Sequence, residues 1–232
     1  MINKILALKY RPQEFKDLIG QEIMAQTITN AIKLNKTPNA YLLTGIRGVG
    51  KTTTARLIAK ALNCQKNDNS NVSCSSEKFC LTCQEIINSN HIYILEMDAA
   101  SKTGIDDIRE LIENSKYSTT SAKFKIFIID EVHMLSKQAF NGLLKTLEEP
   151  PPSLKFILAT TEVRKIPVTI LSRCQRFDLK RVSVEQLCEH LKKIVDKEKG
   201  KISNDAIKLI ARTSEGSVRD SISLLDRALI SQ

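Results

Sequence analysis

The hydrophobic positions of this chain change period several times, and each change predicts an element. Residues 8–20, punctuated by Pro12 and Gly20, read as a loop. From Gln21 to Asn35, the apolar residues Ile23, Met24, Ile28, Ala31, Ile32 and Leu34 fall at helical spacing. Tyr41-Leu42-Leu43-Thr44 is a short apolar run suited to a buried strand, and residues 54–62 return to a helical stripe. Ile92–Asp98 predicts a second strand, and Asp106–Tyr117 an amphipathic helix with Ile108, Leu111 and Ile112 inward. Phe124–Ile129 and Lys155–Thr161 are continuous β-rich runs, the pattern of parallel strands covered on both faces. Ser136–Glu149 predicts a helix with Ser136 as N-cap, stopped by Pro150, Pro151 and Pro152. A short helical segment follows near Pro167. Beyond residue 181 the strand pattern ceases. Val184–Lys197, Asn204–Thr213 and Val218–Ile230 then predict three helices separated by Gly200 and Gly216.

Between the first strand and the helix after it lies Gly45-Ile46-Arg47-Gly48-Val49-Gly50-Lys51-Thr52-Thr53, which reads G-x-x-x-x-G-K-T. Strand, glycine loop and helix are the context in which this text is a phosphate cradle. Gly45, Gly48 and Gly50 let backbone N–H groups close round an anionic oxygen, and the helix N-terminus adds partial positive charge. In that setting Lys51 reaches the β- and γ-phosphates and the Thr52 hydroxyl holds Mg²⁺. The run 124–129 ends in Asp130-Glu131, two acids at the carboxyl end of a central strand, where ligands bind in open α/β sheets. Asp130 is expected to hold Mg²⁺ through water, and Glu131 to polarise an attacking water. Thr160 and Thr161 close the next strand; a hydroxyl there could sense the γ-phosphate or simply end a strand.

Four cysteines interrupt the pattern between Leu62 and Ile86: Cys64, Cys74, Cys80 and Cys83. Thiols in a short polar insert favour a structural, tetrahedral Zn²⁺ site over disulfides in a cytoplasmic chain. Free thiols and a redox pair stay open on spacing alone, because five residues separate Cys74 from Cys80. His91 is a substitute ligand or, more simply, a surface histidine. Composition narrows the class further. The 232 residues carry a formal net charge of +9, and residues 1–60 hold ten Lys/Arg against three Asp/Glu. Such a surface suits polyanions such as nucleotide and nucleic acid, although a solvated lysine face would look the same. Mean hydropathy is −0.18, no apolar run approaches the length of a membrane span, and the lysine-interrupted first nine residues do not read as a signal peptide; a cytoplasmic location is expected. Residues 162–181 are arginine-rich, and an arginine there could serve a neighbouring subunit's ATP or be a solvated cation. Arg219 opens the last helix and could fold back onto nucleotide.

Taken in order, the motifs resemble the AAA+ ATPases of sliding-clamp loaders, and most closely the gamma/tau family of bacterial DNA polymerase III subunits. The matching stretches are residues 8–15 with Ile19-Gly20-Gln21, the phosphate loop, the four cysteines, Glu96–Ser101, Ile129–Leu135, Leu143–Pro151, Leu158–Thr161, Ser172-Arg173-Cys174 and Gly216–Asp220. The resemblance implies an α/β AAA+ P-loop NTPase: a parallel sheet flanked by helices over 1–180, a zinc insert at about 63–86, and a three-helix lid over 181–232. It implies an ATPase motor that loads the sliding clamp onto primer–template DNA, with ATP, Mg²⁺ and structural Zn²⁺, inside a hetero-pentamer of clamp-loader subunits. Carried over residue by residue, Lys51, Thr52, Asp130 and Glu131 form the catalytic core, alongside Gly45, Gly48, Val49, Gly50 and Thr53 of the loop. A Thr160/Thr161 hydroxyl is the first sensor, Arg173 the finger acting in trans, and Arg219 the second sensor in cis. Leu8, Tyr10 and Arg11 hold the adenine side, and Cys64, Cys74, Cys80 and Cys83 are the zinc ligands. The family usually spaces its last three cysteines C-x2-C-x2-C, whereas here Ser75–Phe79 lie between Cys74 and Cys80. Family members continue past the lid into a collar domain, and whether this chain is a piece of such a protein or a shorter product stays open on the sequence. Two other readings stand beside this one. Asp130-Glu131-Val132-His133 matches the DExH text of helicases, although the later strand ends Ala-Thr-Thr rather than Ser-Ala-Thr and no second motor follows within these residues. A zinc-stabilised adaptor that binds ATP without hydrolysing it is the other, and the intact Lys51, Thr52 and Glu131 speak against it.

Overall fold

The computed structural model describes residues 5–66, 73–75, 78–101, 108, 110, 112, 113 and 122–230. Five strands form one parallel sheet: β1 (Ala40–Thr44), β2 (Ile94–Asp98), β3 (Lys125–Asp130), β4 (Leu154–Thr160) and β5 (Gln175–Asp178), in the order β2-β3-β4-β1-β5. The three central strands are buried along their length apart from Asp130 at the tip of β3. That is why each reads as a continuous apolar run and not as an alternation.

Alternation survives in which face each residue serves. Tyr41, Leu43, Ile126, Ile128, Ile157 and Ala159 point to one side, where they pack on α2 (Glu22–Lys33) and α3 (Lys51–Asn63) through Ile28, Ile32, Ala55 and Ile58. Ala40, Leu42, Phe127, Ile129, Phe156 and Leu158 point to the other. There they meet Ile108 and the helix Lys137–Glu148, whose N-cap Ser136 accepts from Ala139 N, as the sequence predicts. The Phe127 and Phe156 rings lie 5.6 Å apart and tilted, an arrangement that adds aromatic attraction to the area they bury. With α4 taken as Leu81–Ile87, the helix Lys137–Glu148 is α5, and α6 is Val168–Leu171.

Beyond the sheet, α7 (Val184–Glu198), α8 (Asn204–Thr213) and α9 (Val218–Ile230) enclose a third core of Leu187, Leu191, Ile194, Ile207, Ala211, Ile222 and Leu225. Each of the first two helices starts on a serine cap, Ser183 and Ser203; this is the usual way to satisfy the free N–H groups of a first turn. A four-residue helix, α1 (Leu6–Lys9), joins this core through Leu6, so the stretch expected to be loop begins in a helix and also holds a 3₁₀ turn at Phe15–Asp17. The Gln21 side chain sutures the junction: its amide nitrogen donates to Lys180 O at 2.7 Å and its amide oxygen accepts from Lys180 N at 3.1 Å. The predicted helix 106–117 lies outside the described residues except at its few described positions, where Ile108 is buried and Ile112 packs on the same cluster.

Candidate nucleotide and metal sites

The loop between β1 and α3 depends on two glycines for different reasons. Gly50 holds φ +108° as the N-cap of α3, and a Cβ there would meet nothing within 4 Å, because the loop opens onto empty space at that point. Gly48 has φ +76°, and a Cβ would come 2.1 Å from the Ser217 hydroxyl. Its requirement is therefore both conformational and steric. Lys51 opens α3, is buried, and donates from Nζ to Gly45 O at 3.1 Å and Ile46 O at 3.0 Å. Burial pushes this ammonium's pKa down, while Glu131 and Asp130 pull it up and Arg219 and Arg47 oppose them. The next residue, Thr52, donates its hydroxyl to Asp130 Oδ2 at 2.5 Å, linking the loop to the tip of β3 across the sheet.

Glu131 sits just past that tip in left-handed backbone, φ +46°, a conformation sparsely populated by residues with a side chain. Its N–H donates to Asp130 Oδ1 at 2.9 Å. Its Oε2 accepts from Thr161 N at 3.1 Å and from the Thr161 hydroxyl at 3.0 Å, and lies 3.4 Å from His133 Nδ1. Thr160 is buried; its hydroxyl meets His133 Nδ1 at 3.0 Å and accepts from Glu162 N at 3.0 Å.

Lys51, Thr52, Asp130 and Glu131 face a cavity of about 470 Å³, within the range that holds small-molecule ligands. Of the residues singled out from the sequence, Leu8, Tyr10, Arg11, Gly48, Val49, Gly50, Lys51, Thr52, Thr53, Asp130, Glu131 and Arg219 line it. Arg11 Nε donates to the Thr53 hydroxyl at 3.2 Å, tying the N-terminal segment to α3. The Tyr10 hydroxyl is bonded to Glu198 at the end of α7; burial first, and then that carboxylate, raise its pKa to about 12. Four residues do not line the cavity. Gly45 offers only its carbonyl to Lys51, Thr161 acts through Glu131, and Thr160 turns to His133. Arg173 lies elsewhere on the surface, bound to Glu148 Oε1 at 2.5 Å and Thr169 O at 2.6 Å. The sequence reading missed Arg47, Asp98, His190 and Ile222, all of which line the cavity. Asp98 was recoverable as an acid ending a strand, since it pairs in register with Asp130. His190 and Ile222 sit on helix faces whose orientation no local pattern reveals.

The four cysteines converge. Cys64 caps the end of α3, Cys80 and Cys83 flank the start of α4, and Cys74 comes from the segment between. Their Sγ atoms all lie within 4.8 Å of one another, with Cys64 and Cys74 at 3.5 Å. Tetrahedral zinc with bonds of about 2.3 Å requires sulfurs about 3.8 Å apart, so spacing and donor softness both fit that ion. Burial pushes the Cys64 and Cys83 thiols up; at Cys80 burial is outweighed by hydrogen bonds from the Cys83 and Gln65 backbone and by neighbouring thiols, lowering it to about 7. His91 is not among the four and is not a surface residue: it is buried, with Nδ1 accepting from Tyr93 N at 3.2 Å.

A glycine loop between β1 and α3, an Asp-Glu tip on β3 with β4 between, and a helical lid over the cavity define a P-loop protein of the AAA+ class. The fold agrees: the Thermotoga maritima RuvB Holliday junction branch migration motor matches with a TM-score of 0.67 at 23% identity, over 94% of this chain and 64% of that one. Residues 20–183 match the family described as DNA polymerase III, delta subunit, and residues 186–231 match the DNA polymerase III clamp loader subunit, ATPase lid domain. The chain therefore belongs to the DNA polymerase III clamp-loader family. It is 46% identical over 231 residues to DNA polymerase III subunit tau of Escherichia coli K12, covering 100% of this chain and 35% of that protein. It is 48% identical over 226 residues to DNA polymerase III subunit gamma of Buchnera aphidicola subsp. Schizaphis graminum, covering 97% and 61%. The chain thus spans between about a third and three fifths of these two relatives. Among the described residues, no helix is long and apolar enough to cross a membrane.

Proposed function

We propose that this chain is the ATPase motor of a replicative clamp loader, which couples ATP binding and hydrolysis to placing a sliding clamp on primed DNA within the DNA polymerase III holoenzyme. The observation that carries the reading is the convergence of Lys51, Thr52, Asp130, Glu131 and Arg219 on one cavity at the mouth of β1. In it the loop amides and Lys51 bind the phosphates, and Lys51 exchanges its contacts with the Gly45 and Ile46 carbonyls for phosphate oxygens. Thr52 and Asp130 would hold Mg²⁺, which would offset phosphate charge there when bound. Their direct contact, an anionic oxygen beside a hydroxyl at the edge of an open cavity, suits that donor set. Glu131 takes the proton of the attacking water. Thr161, or less directly Thr160, reports the γ-phosphate to it, and Arg219 brings the lid onto the same phosphates. Leu8, Tyr10 and Arg11 form the adenine side, and Cys64, Cys74, Cys80 and Cys83 hold a structural zinc.

Arg173 stands on the surface away from its own chain's cavity, a position suited to completing a neighbouring subunit's site. We infer assembly with other clamp-loader subunits in a hetero-pentamer, contact with the clamp and primer–template DNA, and a cytoplasmic location. The division into a nucleotide-binding domain at 1–180 and a lid at 181–232 is supported by the sheet ending at Asp178 and by the separate core of α7–α9. The net charge of +9 favours backbone contacts with DNA that weaken with salt and carry little sequence preference. In a reconstituted loader, Lys51→Ala should weaken ATP binding about 10- to 100-fold, the loss of one charge-assisted bond, and abolish clamp loading. Unchanged affinity for ATP in that variant would remove the nucleotide assignment.

A further inference from the structure

Lys60 is the most buried charged side chain among the described residues, with 1% of its surface exposed. It lies on α3, nine residues after Lys51 and four before Cys64. Its Nζ donates to Cys74 O and to Gln13 O, each at 2.9 Å, and stands 4.4 Å from the centre of the Phe79 ring. No carboxylate among the described residues pairs with it directly; Glu14, which faces it at longer range, is itself paired with Lys16 at 3.0 Å. The remaining charge-bearing groups round it are Cys64, Cys74 and Cys83.

A buried ammonium with only carbonyls and a ring face for company is costly unless a negative charge lies near. Four thiolates round a divalent ion leave an excess of about two negative charges on a buried centre, which is equally costly alone. Each charge is the remedy for the other. The bond to Cys74 O also fixes the backbone of the ligand that comes from the segment between α3 and α4. We propose that Lys60 is the outer-sphere cation of the cysteine site, offsetting the surplus thiolate charge and orienting Cys74; this rests on the zinc reading above. Through Gln13 the same side chain touches the N-terminal segment, whose Arg11 carbonyl accepts from Gln13 Nε2 at 3.2 Å and whose Leu8, Tyr10 and Arg11 line the nucleotide cavity.

The test is zinc affinity, measured on the full chain by competition with a chromophoric chelator, together with the thiolate-to-metal absorption of the Co²⁺-substituted protein. Lys60→Met should bind zinc about 10- to 100-fold more weakly, the usual effect of removing an outer-shell partner, whereas Lys60→Arg should stay within a few-fold of wild type. Equal affinity in Lys60→Met and wild type would overturn the proposal while leaving the zinc site standing. Equal loss in both variants would overturn the role of charge. If wild type itself binds less than half an equivalent of zinc and gives no tetrathiolate cobalt spectrum, the zinc site fails and this role with it. Should Lys60→Met be unfolded, refolding at saturating zinc would support the proposal. Failure to refold at any zinc concentration would make Lys60 a lysine needed by the core alone and overturn it.

Discussion

Thr161 donates both its backbone N–H and its hydroxyl to one oxygen of Glu131, at 3.1 and 3.0 Å. The carboxylate proposed to activate water is thus held from the residue just past β4. Thr161→Val removes one of the two bonds, worth about 0.5–1.5 kcal/mol. Because that hydroxyl is proposed to report the γ-phosphate to Glu131, the ATPase of a reconstituted loader should fall about 2- to 10-fold. An unchanged or higher rate would remove Thr161 from the sensing role.

Arg173 is bound to Glu148 and Thr169 of its own chain. If it completes a neighbour's site, Arg173→Ala should leave ATP affinity of the isolated chain unchanged and lower ATPase of the assembled loader by about 10³-fold or more. Mixing subunits settles which site is affected. A variant subunit should disable the cavity of its neighbour and not its own, measured by single-turnover hydrolysis in loaders carrying one altered chain.

Metal removal should destabilise the chain without unfolding it, because the sheet and lid have cores of their own. Zinc at 100 times its Kd contributes about 2.7 kcal/mol, and a chain of this size moves about 2–4 °C per kcal/mol. Chelation should lower the melting temperature by about 5–10 °C, read by calorimetry, and zinc should restore it. Cys83→Ser should show the lower value at once and not respond to zinc.

His190 on α7 lines the nucleotide cavity, and burial, reinforced by Lys193 and Lys197, holds its pKa below the usual 6.5. The unfolded chain binds the proton more readily, so stability is full above about 6.5 and falls as pH drops toward the lower folded value. Melting at pH 7.5 and 5.5 should show this loss in wild type and a smaller one in His190→Gln. An equal loss in the variant would place the acid sensitivity elsewhere, with buried His91 next in line.

What the sequence made legible follows from how strongly each element is covered. β1, β3 and β4 are enclosed on both faces, so their apolar runs left no alternative reading. The last three helices were bounded almost to the residue, because serine caps and glycines punctuate them. β5 went unread. Gln175-Arg176-Phe177-Asp178 has one buried residue, since it is an edge strand paired with β1 alone and only Phe177 turns inward, toward Tyr41. The phosphate loop and Asp-Glu tip are contiguous text, legible without any tertiary information. The remaining cavity wall belongs to side chains such as His190 and Ile222, brought there by docking of the lid, which no local period encodes.

That docking reaches the glycine loop itself. Arg219 N–H donates to Gly48 O at 3.1 Å, and Gly48 has no room for a side chain against Ser217. The start of α9 is therefore fastened to the glycine loop, and any outward swing of α7–α9 must break that bond. If the loop holds phosphate as proposed, lid position and phosphate grip are thereby tied through a single peptide at Gly48.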